Sequence, residues 1–260
     1  MNRRGFLALT GTAVASSLLN PSVGKAFNFT GPSRKIKAVA FDAFPIFNPN
    51  PVFALTEKLF PGNGPALSDE WRTRQFEYAW LRMAAHHYAD FWRITQDALT
   101  FAANKLKLDL TTDKREALMN AYLKLAVWPD VLPALDRLKT LGLQLAFLSN
   151  FTPHMLEANI KNAGLDKLFD EVISTDQAGT YKPDPRAYQL GVEILGLQRE
   201  EIMFVAFAGW DAAGAKLFGY PTFWNNRLKS PPEELDAIPD ASGTTLLDLV
   251  QFLQTSAASA

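Results

Sequence analysis

The sequence predicts an α/β protein: a doubly wound parallel sheet interrupted early by an inserted helical subdomain. Three observations predict it. From Val131 to Trp224, apolar strand-like runs alternate with helical stretches, and such alternation builds parallel strands joined by right-handed crossovers, with helices on both faces. A buried-strand run, Ile36–Phe41, stands far upstream. Between the two, from Ser68 to about Ala126, the composition is helical and offers no strand candidate. A helical block placed after the first strand is an insertion, a cap over the sheet. The expected organisation is 34–51 and 127–255 for the α/β core and 52–126 for the helical cap, preceded by a separate segment over 1–26.

That first segment reads as an address. Arg3-Arg4 is followed by Phe6-Leu7 and an apolar stretch to Leu19, too short to span a bilayer comfortably and preceded by a charged region, as export signals are. The paired arginines point to a twin-arginine signal. Cleavage at the small-residue site Gly24-Lys25-Ala26 would release a periplasmic or secreted chain that begins near Phe27. A basic N-terminal arm or an uncleaved anchor is the other reading.

Beyond the linker Gly31-Pro32-Ser33, the strand Ile36–Phe41 ends at Asp42. The Pro/Asn-rich stretch Pro45–Pro51 breaks the pattern, and Pro45 biases Phe44 toward extended backbone. Ser68-Asp69-Glu70 reads as a helix start. Phe76, Trp80 and Met83 then form an apolar stripe, which reads first as helix packing. Helices are expected over Leu132–Thr140, over Pro153–Ala163 stopped by Gly164, and from Asp184-Pro185 to Gly196; another is expected to open at Asp211 and end at Gly219. Strands are expected at Gln144–Leu148, Glu171–Ser174, Ile202–Val205 and finally Pro221–Trp224, with Ser256–Ala260 a loose tail.

Composition narrows the chemistry. The 260 residues carry a formal net charge of −1, which provides no long-range attraction to nucleic acid or anionic lipid. With no cysteine, disulfides, thiolate nucleophiles and cysteine metal sites are all excluded. His86, His87 and His154 form no metal-ligand motif and suit solvated or boundary positions. No metal ligand set and no cofactor is expected.

Ligands of open parallel sheets bind at the carboxyl ends of the strands. Polar residues gather at those ends here: Asp42, Ser149-Asn150, Lys182 and Asp211. Each alone suits a turn or a cap, but the ordered set Asp…Ser…Lys…Asp resembles the four motifs of the haloacid dehalogenase superfamily, whose core is Rossmann-like. Its phosphatase branch needs a second acid two residues after the nucleophile and another four before the last motif aspartate. Those places hold Phe44 and Phe207, so the oxygen ligands suited to a hard cation are missing. The L-2-haloacid dehalogenase branch is the better likeness. Phe60-Pro61-Gly62, Trp71-Arg72, Gln75–Arg82 and Tyr88–Phe91 resemble its cap; Leu148-Ser149-Asn150, Tyr181–Asp184 and Gly209–Ala215 resemble its core motifs.

That resemblance implies metal-independent hydrolysis of short 2-haloalkanoic acids to 2-hydroxy acids, with Asp42 attacking the α-carbon to form an ester that water then cleaves. Displacing halide beside a carboxylate needs a carboxylate nucleophile, donors for the substrate anion and a partner for the departing halide. Lys182 would keep Asp42 ionised. Ser149 and the backbone of Ala43 and Phe44 would bind the substrate carboxylate, and Arg72 would meet the halide. Asn150 and Asp211 would orient Lys182 and the hydrolytic water, while Phe44, Phe76, Phe91 and Trp210 would wall the pocket, although a core requires aromatics too. A homodimer is common among such proteins.

Several positions depart from that pattern. Pro45 and Ile46 stand where glycine and threonine are usual, Ala206 and Ala208 replace serine and asparagine, and Thr73 replaces glutamine. Removing one preorganised donor can cost roughly 2.7–4 kcal/mol of transition-state stabilisation. Beside the active hydrolase, these losses keep open a catalytically weakened or non-catalytic exported protein that binds a small carboxylate.

Overall fold

The structure, a computed structural model, describes residues 36–258. Strand β1 (Ala38–Phe41) runs directly into a one-turn helix α1 (Ala43–Ile46) and a two-residue strand β2 (Phe47–Asn48). Four helices follow: α2 (Asn50–Leu59), α3 (Gly64–Ala84), α4 (Phe91–Lys105) and α5 (Thr112–Ala121). The chain returns through β3 (Ala126–Val127), which pairs antiparallel with β2. Then come α6 (Val131–Thr140), β4 (Gln144–Ser149), α7 (Pro153–Ala163), β5 (Glu171–Ser174), α8 (Pro185–Leu195) and β6 (Ile202–Ala206). The chain closes with α9 (Gly209–Phe218), β7 (Thr222–Asn225), β8 (Ala241–Gly243) and α10 (Leu246–Ala258).

The main sheet has the order β5-β4-β1-β6-β7-β8 and is parallel throughout. From β1 the chain winds outward through β4 and β5, then crosses back to β6 and winds the other way. This is a doubly wound α/β fold, as the sequence predicts. The reversal places the ends of β1, β4 and β6 around one crevice, where such sheets bind ligands.

Alternation along the strands separates two apolar layers, because successive strand side chains point to opposite faces. Val39, Phe41, Leu145, Phe147, Met203 and Val205 face one layer. Ala38, Ala40, Ala146, Leu148, Phe204 and Ala206 face the other. The first layer continues without a break into the helical block, through Trp71, Ile94, Leu99 and Leu118. Sheet and helices thus fall within one compact unit. Burying a side chain such as Phe147 or Ile94 contributes roughly 1.5–3 kcal/mol.

Five local expectations change. Ser68 lies inside α3, its hydroxyl 2.7 Å from that of Thr56; the helix starts earlier because Pro65 occupies its first turn and Glu57 binds the amides of Gly62 and Gly64. Phe44 is helical, since Asp42 caps the turn and Pro45 occupies a first-turn position whose N–H has no helical acceptor in any case. Asp211 is the third residue of α9, which opens at Gly209. Strand β7 is not the last: β8 adds an edge with no β-branched or aromatic residue to signal it, and neighbouring Asp240 exchanges hydrogen bonds with Thr222. Ser256 is helical, and its hydroxyl donates to the carbonyl of Phe252 at 2.9 Å. The expected export segment lies outside the described residues.

Candidate active site

Asp42 follows β1 directly and caps α1, so backbone geometry aims its carboxylate out of the sheet's carboxyl end. Oδ2 accepts from the amide of Phe44 at 3.2 Å. Oδ1 accepts from Lys182 Nζ at 2.9 Å, while Ser149 Oγ stands 3.4 Å away. Lys182 is 1% exposed and reaches a second carboxylate, Asp211 Oδ2, at 2.5 Å. The three charges are one coupled unit. Burial by itself would depress the Lys182 ammonium, but the charges of Asp211 and Asp42 outweigh it and hold the group above its ordinary value. Asp211 is pushed up to about 6, chiefly by burial; the Lys182 charge pulls it down and the Asp42 charge pushes it up.

Tyr188 completes the unit, and sequence reading missed it. Its hydroxyl donates to Asp211 Oδ1 at 2.8 Å, so both Asp211 oxygens are satisfied although the side chain is buried. The signal was weak: a tyrosine on the buried face of α8 reads as core. What allows the contact is Gly214, one turn beyond Asp211, where an added Cβ would stand 2.6 Å from the Tyr188 hydroxyl. Gly191 does the same for Tyr220, whose hydroxyl donates to the carbonyl of Tyr188 at 2.7 Å.

Asn150 holds Lys182 by its backbone rather than by its ammonium. Its Oδ1 accepts from the Lys182 amide at 3.0 Å and from Thr175 Oγ1 at 3.1 Å. Ala43 is fully buried and lies outside the cavity lining; the Phe44 amide already donates to Asp42. Of the two backbone positions expected to bind an anion, one is therefore off the cavity and the other is engaged by Asp42.

Above this floor lies a cavity of about 460 Å³, lined by Asp42, Ser149, Asn150, Phe44, Phe91 and Trp210 among others. Helix α3 supplies much of its wall. Its packed row is Trp71, Gln75 and Ala79, fixed where Trp71 Nε1 donates to the Thr95 carbonyl at 2.8 Å and Gln75 Nε2 to Thr95 Oγ1 at 2.6 Å. The adjacent row, Arg72, Phe76 and Trp80, is thereby turned to the cavity. Phe76, expected at the pocket wall, and Trp80, expected only in helix packing, both face the cavity, and both rings contact Trp210, at 5.3 and 5.4 Å between centroids. Phe53, Tyr122, Phe151 and Phe207 complete the aromatic lining.

Arg72 faces the same space. Its guanidinium lies 5.4 Å from the Phe53 ring centroid, and it has no carboxylate partner among the described residues. Thr73 and Ala208 also line the cavity, whereas Ile46 and Ala206 are buried behind it. His86, His87 and His154 are solvent-exposed. Among the described residues, no group of three or more metal-capable side chains is gathered. The second carboxylate that a magnesium-dependent phosphotransferase needs beside its nucleophile has no counterpart: Phe44 and Phe207 pack together there, 5.7 Å between ring centroids. Residues of that kind do not fit a hard cation.

The floor can thus present a carboxylate, held by one ammonium and backed by a second acid, to a molecule confined by aromatic rings beneath the Arg72 guanidinium. Known proteins share this frame. Residues 9–219 match the model of the haloacid dehalogenase-like hydrolases. The (S)-2-haloacid dehalogenase of Pseudomonas sp. (strain YL) is 42% identical over 226 residues, covering 86% of this chain and 97% of that protein. A solved L-2-haloacid dehalogenase superposes with a TM-score of 0.84 at 44% identity, covering 85% of this chain and all of that one. The Xanthobacter autotrophicus L-2-haloacid dehalogenase with chloropropionic acid covalently bound gives 0.78 at 34% identity, covering 84% of this chain and 98% of that one. With matches of this extent and an aspartate at the carboxyl end of its central strand, the chain belongs to the haloacid dehalogenase-like hydrolases and resembles their L-2-haloacid dehalogenase branch.

Proposed function

We propose that the protein hydrolyses short 2-haloalkanoic acids to 2-hydroxy acids through an ester on Asp42. The observation that carries this reading is the Asp42–Lys182 pair at 2.9 Å on the floor of an aromatic cavity that Arg72 also faces. Similarity to (S)-2-haloacid dehalogenases over most of the chain supports it, as does the covalent chloropropionic acid complex of the Xanthobacter relative.

In the proposed reaction an Asp42 carboxylate oxygen attacks the α-carbon. A carbon–oxygen bond forms as the carbon–halogen bond breaks, and the halide leaves with the bonding electrons. Lys182 Nζ, 2.9 Å from Asp42 Oδ1, is paired with the attacking carboxylate. Arg72 is the cation able to meet the departing halide, and Ser149 the side-chain donor able to meet the substrate carboxylate. Water then adds to the Asp42 carboxyl carbon, the ester carbon–oxygen bond breaks, and the 2-hydroxy acid departs. Asp211, ionised above about pH 6, is suited to accept the proton of that water. Phe44, Phe91 and Trp210 keep bulk water from the reacting carbon.

Purified protein and its Asp42→Asn variant should be incubated with (S)-2-chloropropionate and other halo acids while halide is measured. Wild type should release halide and the variant should not. No release above the variant across the series would sink the reading. In heavy-oxygen water under single-turnover conditions, label should enter Asp42 before it enters product. A binder without turnover would instead be stabilised by carboxylates equally in both forms.

Export through the twin-arginine-type segment, giving a periplasmic or secreted enzyme, belongs to the same proposal, as does a homodimer. Signal-dependent fractionation of tagged protein and sedimentation of the purified chain test the two. No helix among the described residues is long and apolar enough to cross a membrane.

A further inference from the structure

The turn that carries Asp42 has almost nothing of its own to hold it. Helix α1 is four residues long, closed by the Phe47 amide donating to the Ala43 carbonyl, and Pro45 contributes no N–H. A helix end leaves its last carbonyls without partners, here those of Phe44, Pro45 and Ile46. All three are taken from outside the turn. Trp128 Nε1 donates to the Phe44 carbonyl at 2.9 Å, Arg227 Nη2 to the Pro45 carbonyl at 2.9 Å, and the Trp128 amide to the Ile46 carbonyl at 3.2 Å.

The donors are themselves fixed. Arg227 follows β7, its side chain only 6% exposed, and grips Asp130 in a two-pronged pair at 2.8 and 2.9 Å. Its guanidinium also lies over the Trp128 ring, 4.7 Å from the centroid. Asp130 Oδ2 accepts in addition from the Leu246 amide at 2.7 Å, which ties the group to the start of α10. None of these three side chains lines the cavity.

We propose that Arg227, Trp128 and Asp130 form a bracket that positions the nucleophile, an inference that rests on the proposed role of Asp42. The link is the Phe44 residue: its amide donates to Asp42 Oδ2 while its carbonyl is held by Trp128. Movement of that peptide moves the anchor of the attacking carboxylate. With Pro45 lacking an N–H and Ile46 a side-chain hydroxyl at this turn, orientation is supplied through the carbonyls instead. Arginine is required in this place because a lysine cannot span Asp130 and the Pro45 carbonyl with a planar fork.

Trp128→Phe removes the Nε1 donor and keeps an aromatic ring under Arg227; Arg227→Lys keeps the charge for Asp130. For both, kcat for halide release from (S)-2-chloropropionate should fall about ten- to a hundredfold, with KM nearly unchanged and single-turnover ester formation slowed in proportion. Loss of one hydrogen bond should lower the melting temperature by only about 2–4 °C. In parallel, carboxyl-carbon NMR of aspartate-labelled protein, with Asp42 assigned by its absence in Asp42→Asn, should show the Asp42 resonance displaced in Trp128→Phe. Wild-type kcat in both variants, a loss that only tracks the folded fraction, or an unmoved Asp42 resonance overturns the bracket. If wild type releases no halide, the dehalogenase reading fails separately, and the position of the Asp42 resonance alone decides the bracket.

Discussion

The floor of the site and its wall are built on opposite terms. On the floor, Asp42, Lys182, Asp211 and Tyr188 satisfy one another within hydrogen-bond distance, with Lys182 and Asp211 almost wholly removed from solvent. On the wall, Arg72 is exposed, rests on a phenyl ring and has no carboxylate partner among the described residues, while Phe76, Trp80 and Trp210 touch by their faces and edges. A buried ion pair is costly when broken and rigid when complete; aromatic contacts without directional bonds adapt to shape. The difference divides the work: the floor fixes the carboxylate that would attack, while the wall limits which molecule is admitted and offers the Arg72 cation for what leaves.

That separation can be broken experimentally, most drastically at Lys182. Lys182→Met leaves two carboxylates facing each other without a cation. It should destabilise the protein by about 3–5 kcal/mol and abolish halide release, as read by urea unfolding and halide assay. A fully stable Lys182→Met protein would show that the floor is not an integrated charge unit.

Arg72→Ala tests the wall. Activity should fall by about 10²–10³-fold, the loss typical of one electrostatic contributor, while stability stays within about 0.5 kcal/mol, as for exposed positions. Equal losses of stability and activity would place Arg72 with the floor.

A subtler change is Tyr188→Phe. Removing the hydroxyl leaves a buried Asp211 oxygen without a donor, which costs about 1–3 kcal/mol. It also has a pH signature. Because Asp211 must lose its proton to act as a base, ester hydrolysis in the wild type should decline as pH falls through about 6. The Tyr188 hydroxyl holds that value down, so its loss should move the decline to higher pH. A profile unchanged in Tyr188→Phe would remove Asp211 from the hydrolytic step.

Stability of the bracket is expected to show the smallest effect, at acid pH. Burial raises the Asp130 carboxyl, but Arg227 and the Leu246 amide outweigh it and hold the group below its ordinary value of 3.8. A depressed folded value means stability that is present above 3.8 and lost as pH falls below it. Unfolding of wild type and Asp130→Asn should therefore converge in acid; a gap that persists undiminished would contradict the pairing.

Much of this was legible from residues alone, for local reasons. Pro153 with Gly164, and Asp184-Pro185 with Gly196, mark α7 and α8 because first-turn proline and left-handed glycine act within a few residues of themselves. Phe44 and Phe207 excluded a hard-cation site by side-chain chemistry alone. Tyr188 and Trp80 were not legible in the same way, and Arg72 and Phe76 were expected at the site only through the family resemblance. A tyrosine on an apolar helix face carries no mark that its hydroxyl meets a carboxylate, and which row of α3 is packed depends on Thr95 across the helix pair. Strand β8 escaped notice because backbone pairing, not side-chain pattern, makes it.

By itself, the sequence determined the alternation of strands and helices, the place of Asp42 after the first strand, and the absence of an acid two residues after it. These follow from the order of residue types and from short-range backbone preferences. Tertiary structure alone decided how Lys182 is shared between Asp42 and Asp211, that Gly214 admits the Tyr188 hydroxyl, and that Trp128 and Arg227 hold the turn after Asp42. Each of those joins groups far apart in the chain at hydrogen-bond distance, and such distances are set by how elements pack, not by the pattern within any one of them.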